Sequence, residues 1–190
     1  LGMLALAAPA AAGELDIPHE HYELDNGLDV ILAPDASTPI VYVSVWYHVG
    51  SKDETENRTG FAHLFEHIMF NGSLAWNDDY FQALAPYGAQ INGTTNTDRT
   101  NYFEVLPAQH LPRALFLESD RMGYLLDVLT DEKLDEQRAV VKNERRQRYE
   151  NPPYGEARKF IAEALYPEGH PYHHLTIGIH EDLDAASLED

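Results

Sequence analysis

The stretch His63-Leu64-Phe65-Glu66-His67 constrains this chain more than any other. Two imidazoles stand four residues apart, with a carboxylate between them. In a helix each residue advances by about 100°, so His63 and His67 fall one turn apart on one face and Glu66 flanks them. Two neutral imidazoles so placed can take two corners of a tetrahedral Zn²⁺. Glu66 can then reach a water on that metal without itself being a ligand. Lewis acid, acidified water and base are the parts of a metal-assisted hydrolase. An isolated His pair at this spacing is usually a surface accident. Here Phe61, Ala62, Leu64, Phe65, Ile68, Met69 and Phe70 make the helix apolar almost all round, which predicts that it is buried. Two His and a Glu in such a helix are costly unless something satisfies them, and a metal does.

Composition narrows the chemistry. The 190 residues contain no cysteine, so any metal must be held by His, Asp or Glu, and disulfides and cysteine nucleophiles are excluded. Lys and Arg number 13 against 32 Asp and Glu, a net charge of −19. That balance argues against a nucleic acid or an anionic membrane as partner, and tolerates basic or neutral peptides. Residues 1–12 are wholly apolar and too short to span a bilayer. They read as the end of a secretory signal with an Ala-x-Ala cleavage site near Ala10 to Ala12. The sequence therefore reads as a signal remnant over 1–13 and a domain over 14–190 that is incomplete at its C-terminal end. Export to the periplasm or the exterior is expected, with no cysteine near the signal to carry a lipid anchor.

Along the chain, Asp25-Asn26-Gly27 predicts a hairpin turn between two short strands. Residues 40–49 are β-branched and aromatic and predict a central strand. Asn57 or Thr59 can cap the metal-motif helix, and Asn71-Gly72 stops it. Asn77 can cap a second helix over 78–84, ended by Pro86 and Gly88. Residues 89–106 predict two strands around a turn near 96–98. Helices follow over 108–129, from a cap at Asp131 to about Tyr149, and over 154–165. Residues 166–178 form a His- and Pro-containing loop, and 183–190 open a further element. Strands that pair by hairpins with helices grouped between them indicate an α+β layer fold with a mostly antiparallel sheet.

A catalytic zinc needs three protein ligands plus water, and acidic candidates are many. Glu144 stands out because Val140 and Val141, at i−4 and i−3, place it on the packed face of its helix. An ion pair with Arg148 at i+4 is an equally good use of that carboxylate. His173-His174 suggests a solvated loop rather than a second metal. His19, His21, His48, His110 and His180 are scattered, with no role apparent from the sequence. Gly93, read alone, marks a β-bulge.

His-x-x-Glu-His is the inverted zinc signature of the inverzincins. The surrounding blocks resemble the pitrilysin/insulinase metallopeptidases, especially their exported bacterial members. They are residues 58–73 (RTGFAHLFEHIMFNGS), 92–103 (NGTTNTDRTNYF), 117–122 (LESDRM), 140–146 (VVKNERR) and 170–172 (HPY). The resemblance runs from about residue 17 to the end and implies a zinc metalloendopeptidase with one Zn²⁺ per domain. That family places its third ligand, a Glu, 76 residues beyond the second His, and 76 residues lie between His67 and Glu144. The resemblance thus implies His63, His67 and Glu144 as ligands and Glu66 as general base. It implies an edge strand at Asn92-Gly93-Thr94 that holds peptide by β-augmentation. Many relatives carry a further Glu seven residues before the third ligand; here that position is Gln137, which adds no charge beside the site. The family's working unit pairs this half with a later homologous half, in the same chain or in a partner subunit. The 190 residues alone are therefore expected to bind zinc and cleave poorly. Two alternatives stand beside the peptidase: a non-catalytic partner or scaffold subunit of the same fold, and a peptide-binding module without chemistry.

Overall fold

A computed structural model describes residues 16–190, so the signal reading of residues 1–13 lies outside the described residues. The chain divides into two units, one ending at Thr38 and one running from Pro39 to Asp190. In the first, β1 (Glu20–Glu23) and β2 (Asp29–Leu32) pair antiparallel, Glu20 opposite Leu32 and Glu23 opposite Asp29. The expected turn joins them. Gly27 takes φ +86°, its N–H donates to Leu24 O, and Leu28 N donates to Asn26 Oδ1. An L side chain is disfavoured at that φ, which is why a glycine closes the turn.

The second unit is built on a three-stranded antiparallel sheet in the order β3 (Ile40–Tyr47), β5 (Thr100–Pro107), β4 (Gln90–Thr95). The run over 40–49 does form a strand, but β5 is central and β3 lies at an edge among the described residues. β5 has the alternate burial of a central strand, with Thr100, Tyr102, Glu104 and Leu106 facing inward. β3 leaves Ile40, Tyr42 and Trp46 exposed on the other face.

Helices pack on the inward face. α1 (Phe61–Ile68) lies against β4, β5 and α4 (Asp131–Arg145), and α3 (Leu111–Tyr124) lies against β3 and β5. α2 (Tyr80–Leu84) precedes β4; α5 (Ala157–Leu165) and α6 (His180–Ala185) follow α4. One apolar cluster joins Leu64 and Ile68 of α1, Tyr102 of β5, Leu134 and Val141 of α4, and Ile177 and Leu183 near α6. Burying each such aliphatic side chain contributes about 1.5–3 kcal/mol, enough to fix α1 against α4. A second cluster of Tyr80, Ala83, Leu84 and Leu117 ties α2 to α3, with Phe70 touching both.

Several local expectations are corrected. α1 is not buried all round: Phe65 is 45 % exposed while Leu64, Glu66 and Ile68 are buried. Neither Asn57 nor Thr59 caps it. Gly60 holds the cap position at φ +91°, and Glu54 supplies the acceptors, taking Gly60 N–H at 3.0 Å and Ala62 N–H at 2.9 Å. A Cβ at Gly60 would stand 2.8 Å from Ile177 O, so the loop before α6 presses on the start of α1 and leaves no room for a side chain there. Asp79, not Asn77, caps α2, and Thr130, not Asp131, caps α4. The helix over 108–129 is regular only from Leu111 to Tyr124, with tight single turns on either side. Residues 166–178 are less solvated than expected, since Ile177 is buried.

Candidate metal centre

α1 presents His63 and His67 one turn apart, ring centroids 4.8 Å apart and nearly perpendicular at 82°. α4, packed beside it, brings Glu144 between them. Glu144 Oε2 stands 3.7 Å from His63 Nε2 and 3.3 Å from His67 Nε2. The three donor atoms lie within 4.8 Å of one another, and no other such trio of metal-ligating side chains converges among the described residues. Ligand atoms bound at about 2.0–2.1 Å around a tetrahedral zinc stand roughly 3.3–3.4 Å apart, so the two Glu144–imidazole separations are close to those a shared ion requires.

The shifts of His63 and Glu144 suit the same purpose. Burial, and next the nearby His67, push the His63 imidazole down to about 4, so it is neutral near pH 7. Its Nδ1 is buried without a hydrogen-bond partner; a proton there leaves the Nε2 lone pair facing Glu144. His67, whose Nε2 stands 3.3 Å from Oε2, and then His63 and Arg148, lower the Glu144 carboxyl below its usual range against the opposing effect of burial. Neutral imidazoles and an ionised carboxylate are the forms a metal binds.

The Glu144 carboxylate faces both candidate partners. Arg148 Nη1 reaches Oε1 at 2.7 Å while Oε2 faces the imidazoles. Arg148 is 70 % exposed, so this ion pair contributes little energy and serves mainly to turn the carboxylate. The packing argument for Glu144 was half right. Val141 is fully buried, but Val140 is 44 % exposed, so of the two only Val141 lies on the packed face, with Leu134. Gln137 lies two turns earlier on α4, half-buried, and makes none of the hydrogen bonds that hold the three donors.

Glu66 leaves α1 toward β4. Its Oε2 accepts from Thr95 Oγ1, and burial raises its carboxyl above the usual range, with the Thr95 bond opposing. Thr95 was not singled out from sequence; it sits on the same strand face as Gly93. A Cβ at Gly93 would stand 3.1 Å from Glu66 Oε1 and 3.0 Å from the Phe70 ring, tighter than ordinary contact. The β4–β5 register is one-to-one from Gln90–Val105 to Thr95–Thr100, so Gly93 marks a close approach to Glu66 and not a bulge. The far edge of β4 is unpaired among the described residues. Asn92 and Thr94 are exposed there, and Asn92 Oδ1 accepts the Gly93 N–H. A cavity of about 760 Å³ lies on the other flank of α1, lined by Tyr47, Phe61, Phe65, Met69 and Tyr102, and includes none of the metal-site donors.

His173 and His174 do not pair on a second ion. His173 Nδ1 meets Tyr166 O at 2.8 Å and His174 Nε2 meets Glu54 at 2.9 Å.

The sequence profile of the Insulinase family (Peptidase family M16) matches residues 29–175, more than half of the chain. This chain belongs to that family. It is similar to the zinc protease PqqE of Helicobacter pylori, 36 % identical over 90 % of this chain and 38 % of that protein. Its fold superposes on the crystal structure of a protease from H. pylori with a TM-score of 0.85, at 32 % identity, over 91 % of this chain and 41 % of the other. The first half of the periplasmic protease PqqL from Escherichia coli shares the fold, with a TM-score of 0.78 at 23 % identity, over 90 % and 38 %. The chain thus spans about two fifths of the length of these relatives. Membership supports a peptidase role, and the α+β fold is that of the family.

Proposed function

We propose that this chain is the zinc-bearing part of a metalloendopeptidase. The observation that carries the reading is the convergence of His63, His67 and Glu144, with Glu66 placed between them and the open edge of β4. When bound by those three residues, zinc supplies Lewis acidity to the scissile carbonyl and lowers the pKa of the attacking water. An extended peptide adds to β4 along Asn92-Gly93-Thr94, held by main-chain hydrogen bonds and therefore tolerant of sequence. Asn92 must release the Gly93 N–H for that strand to dock. Gly93 lets the peptide backbone come close to Glu66. Glu66 removes one proton from the water as its oxygen bonds to the carbonyl carbon. It then delivers that proton to the amide nitrogen as the C–N bond breaks. Its raised carboxyl range suits a group that must both take and return a proton.

A later homologous half, in the same chain or in a partner subunit, closes over the peptide. The coverage of two fifths of the relatives supports this, as does the fold shared with a protease half. Without that half the chain binds zinc and cleaves poorly. The Ala-rich residues 1–12 and the periplasmic location of the E. coli neighbour support export. Among the described residues no helix is long and apolar enough to cross a membrane. In the full-length protein Glu66→Gln is expected to lower peptide cleavage by about 10²–10⁴-fold with zinc content unchanged. Unchanged cleavage with zinc bound would remove Glu66 from the role of base.

A further inference from the structure

α1 begins without a capping side chain of its own, because its cap position is a glycine in the left-handed region. The first-turn amides of a helix need acceptors, and here one residue from another segment supplies two. Glu54 Oε2 takes the Gly60 N–H and Oε1 takes the Ala62 N–H. The Glu54 side chain is only 4 % exposed, so its charge needs more than two amides. His174 meets it, Nε2 standing 2.9 Å from Oε2, from the loop between α5 and α6. The same loop is tied to the approach to α1 by Ser51 Oγ–Thr176 Oγ1 at 3.2 Å. The start of α6 joins the tie, because Asp182 Oδ2 accepts both the N–H and the Oγ1 of Thr59.

We propose that Glu54 and His174 are positioning residues for the zinc centre, an ion pair across 120 residues that fixes the N-terminus of the helix carrying His63, Glu66 and His67. It rests on the metal-site reading for its functional meaning, though the clamp itself does not. Ala62, whose amide Glu54 holds, immediately precedes His63, so a loosened first turn displaces the first ligand directly. The groups that act on His174 are Glu54, the Ser51 backbone and Asp182, two of them carboxylates. The Glu54 hydrogen bond, ahead of the opposing effect of burial, raises the His174 imidazole above its ordinary 6.5. For a cation-forming group raised in the folded state the sign is fixed. The stabilisation is complete below the ordinary value and is lost as pH rises through the raised one.

The test is backbone amide exchange in the peptide covering the start of α1, measured on the full-length, chelator-treated protein from pH 6 to 9 and corrected for intrinsic exchange. Zinc affinity is measured in parallel. Wild type is expected to lose protection at the start of α1 as pH rises, by about fivefold, the factor of a lost helix cap. His174→Arg keeps the cation at every pH and should stay protected throughout. His174→Gln should be poorly protected already at pH 6 and flat thereafter. If the Arg variant follows the wild-type profile, or the Gln variant matches wild type at pH 6, the clamp is overturned. If exchange behaves as expected while wild type binds no zinc, the clamp stands and the metal reading fails.

Discussion

Two clusters of titratable side chains lie mostly out of water in the same unit, one at α1 and α4, the other between β5, α2 and α3. His63, His67 and Glu144 bring a carboxylate and two imidazole rings to one point, with a cation only on the outer carboxylate oxygen, from exposed Arg148. Tyr80, Glu104, Glu118 and Arg121 carry their own cation inside. Arg121 Nε donates to Glu118 Oε2 at 2.9 Å, and the guanidinium lies over the rings of Tyr80 at 4.2 Å and Tyr102 at 4.4 Å. Tyr80 donates to Glu104 Oε1 at 2.6 Å. In the second cluster an aromatic-stacked arginine offsets the carboxylate charge. The first lacks an internal cation.

That contrast can be broken most forcefully at Arg121. Arg121→Met leaves Glu118 buried and unpaired and should cost about 3–5 kcal/mol in urea denaturation. His63→Ala, by contrast, should leave the metal-free protein within about 1 kcal/mol of wild type while weakening zinc binding. Equal losses for the two would erase the distinction. A smaller effect is expected at the contact between the metal helix and the sheet. Gly93→Ala forces Phe70 and Glu66 to move, about 1–3 kcal/mol of misfit, and should reduce peptide turnover at least tenfold with zinc content kept. Turnover unaffected by that methyl group would remove the close approach from the mechanism. The smallest effect is a pH slope. Burial, and then the neighbouring Glu118, raise the Glu104 carboxyl to about 8 from an ordinary 4.5. The folded chain then holds a proton the unfolded chain has released, so this contribution is full below about pH 4.5 and declines as pH rises through 8. The slope is at most about 1.4 kcal/mol per pH unit. Glu104→Gln keeps the neutral shape and should flatten that part of the stability profile; an unchanged slope would show that Glu104 is ionised.

Much of this was legible in the sequence because it is local. The spacing of His63, Glu66 and His67 is a property of one helix, and the hairpin at Asn26-Gly27 and the β4–β5 pair are written in turn residues. Glu144 needed the spacing seen in relatives, since helix periodicity alone favoured Arg148 equally and Val140 misled by being exposed. Sheet order was hidden because β-branched content reads the same on an edge as in the centre; β3 and β5 could not be ranked without their partners. The caps failed for a different reason. Glu54 and His174 reach α1 from outside its own sequence window, and no rule about flanking Asn or Thr finds a carboxylate six residues away. Thr95 was likewise invisible: alternation along β4 puts it on the face of Gly93, but only the packing of α1 on that face shows that it meets Glu66.

Diffraction at the zinc absorption edge, on crystals of the zinc-loaded full-length protein, tests the central claim most directly. The account predicts one anomalous peak about 2.0–2.2 Å from His63 Nε2, His67 Nε2 and a Glu144 carboxylate oxygen. A zinc peak elsewhere, or density showing Glu144 turned wholly onto Arg148 with no metal between the rings, would contradict it.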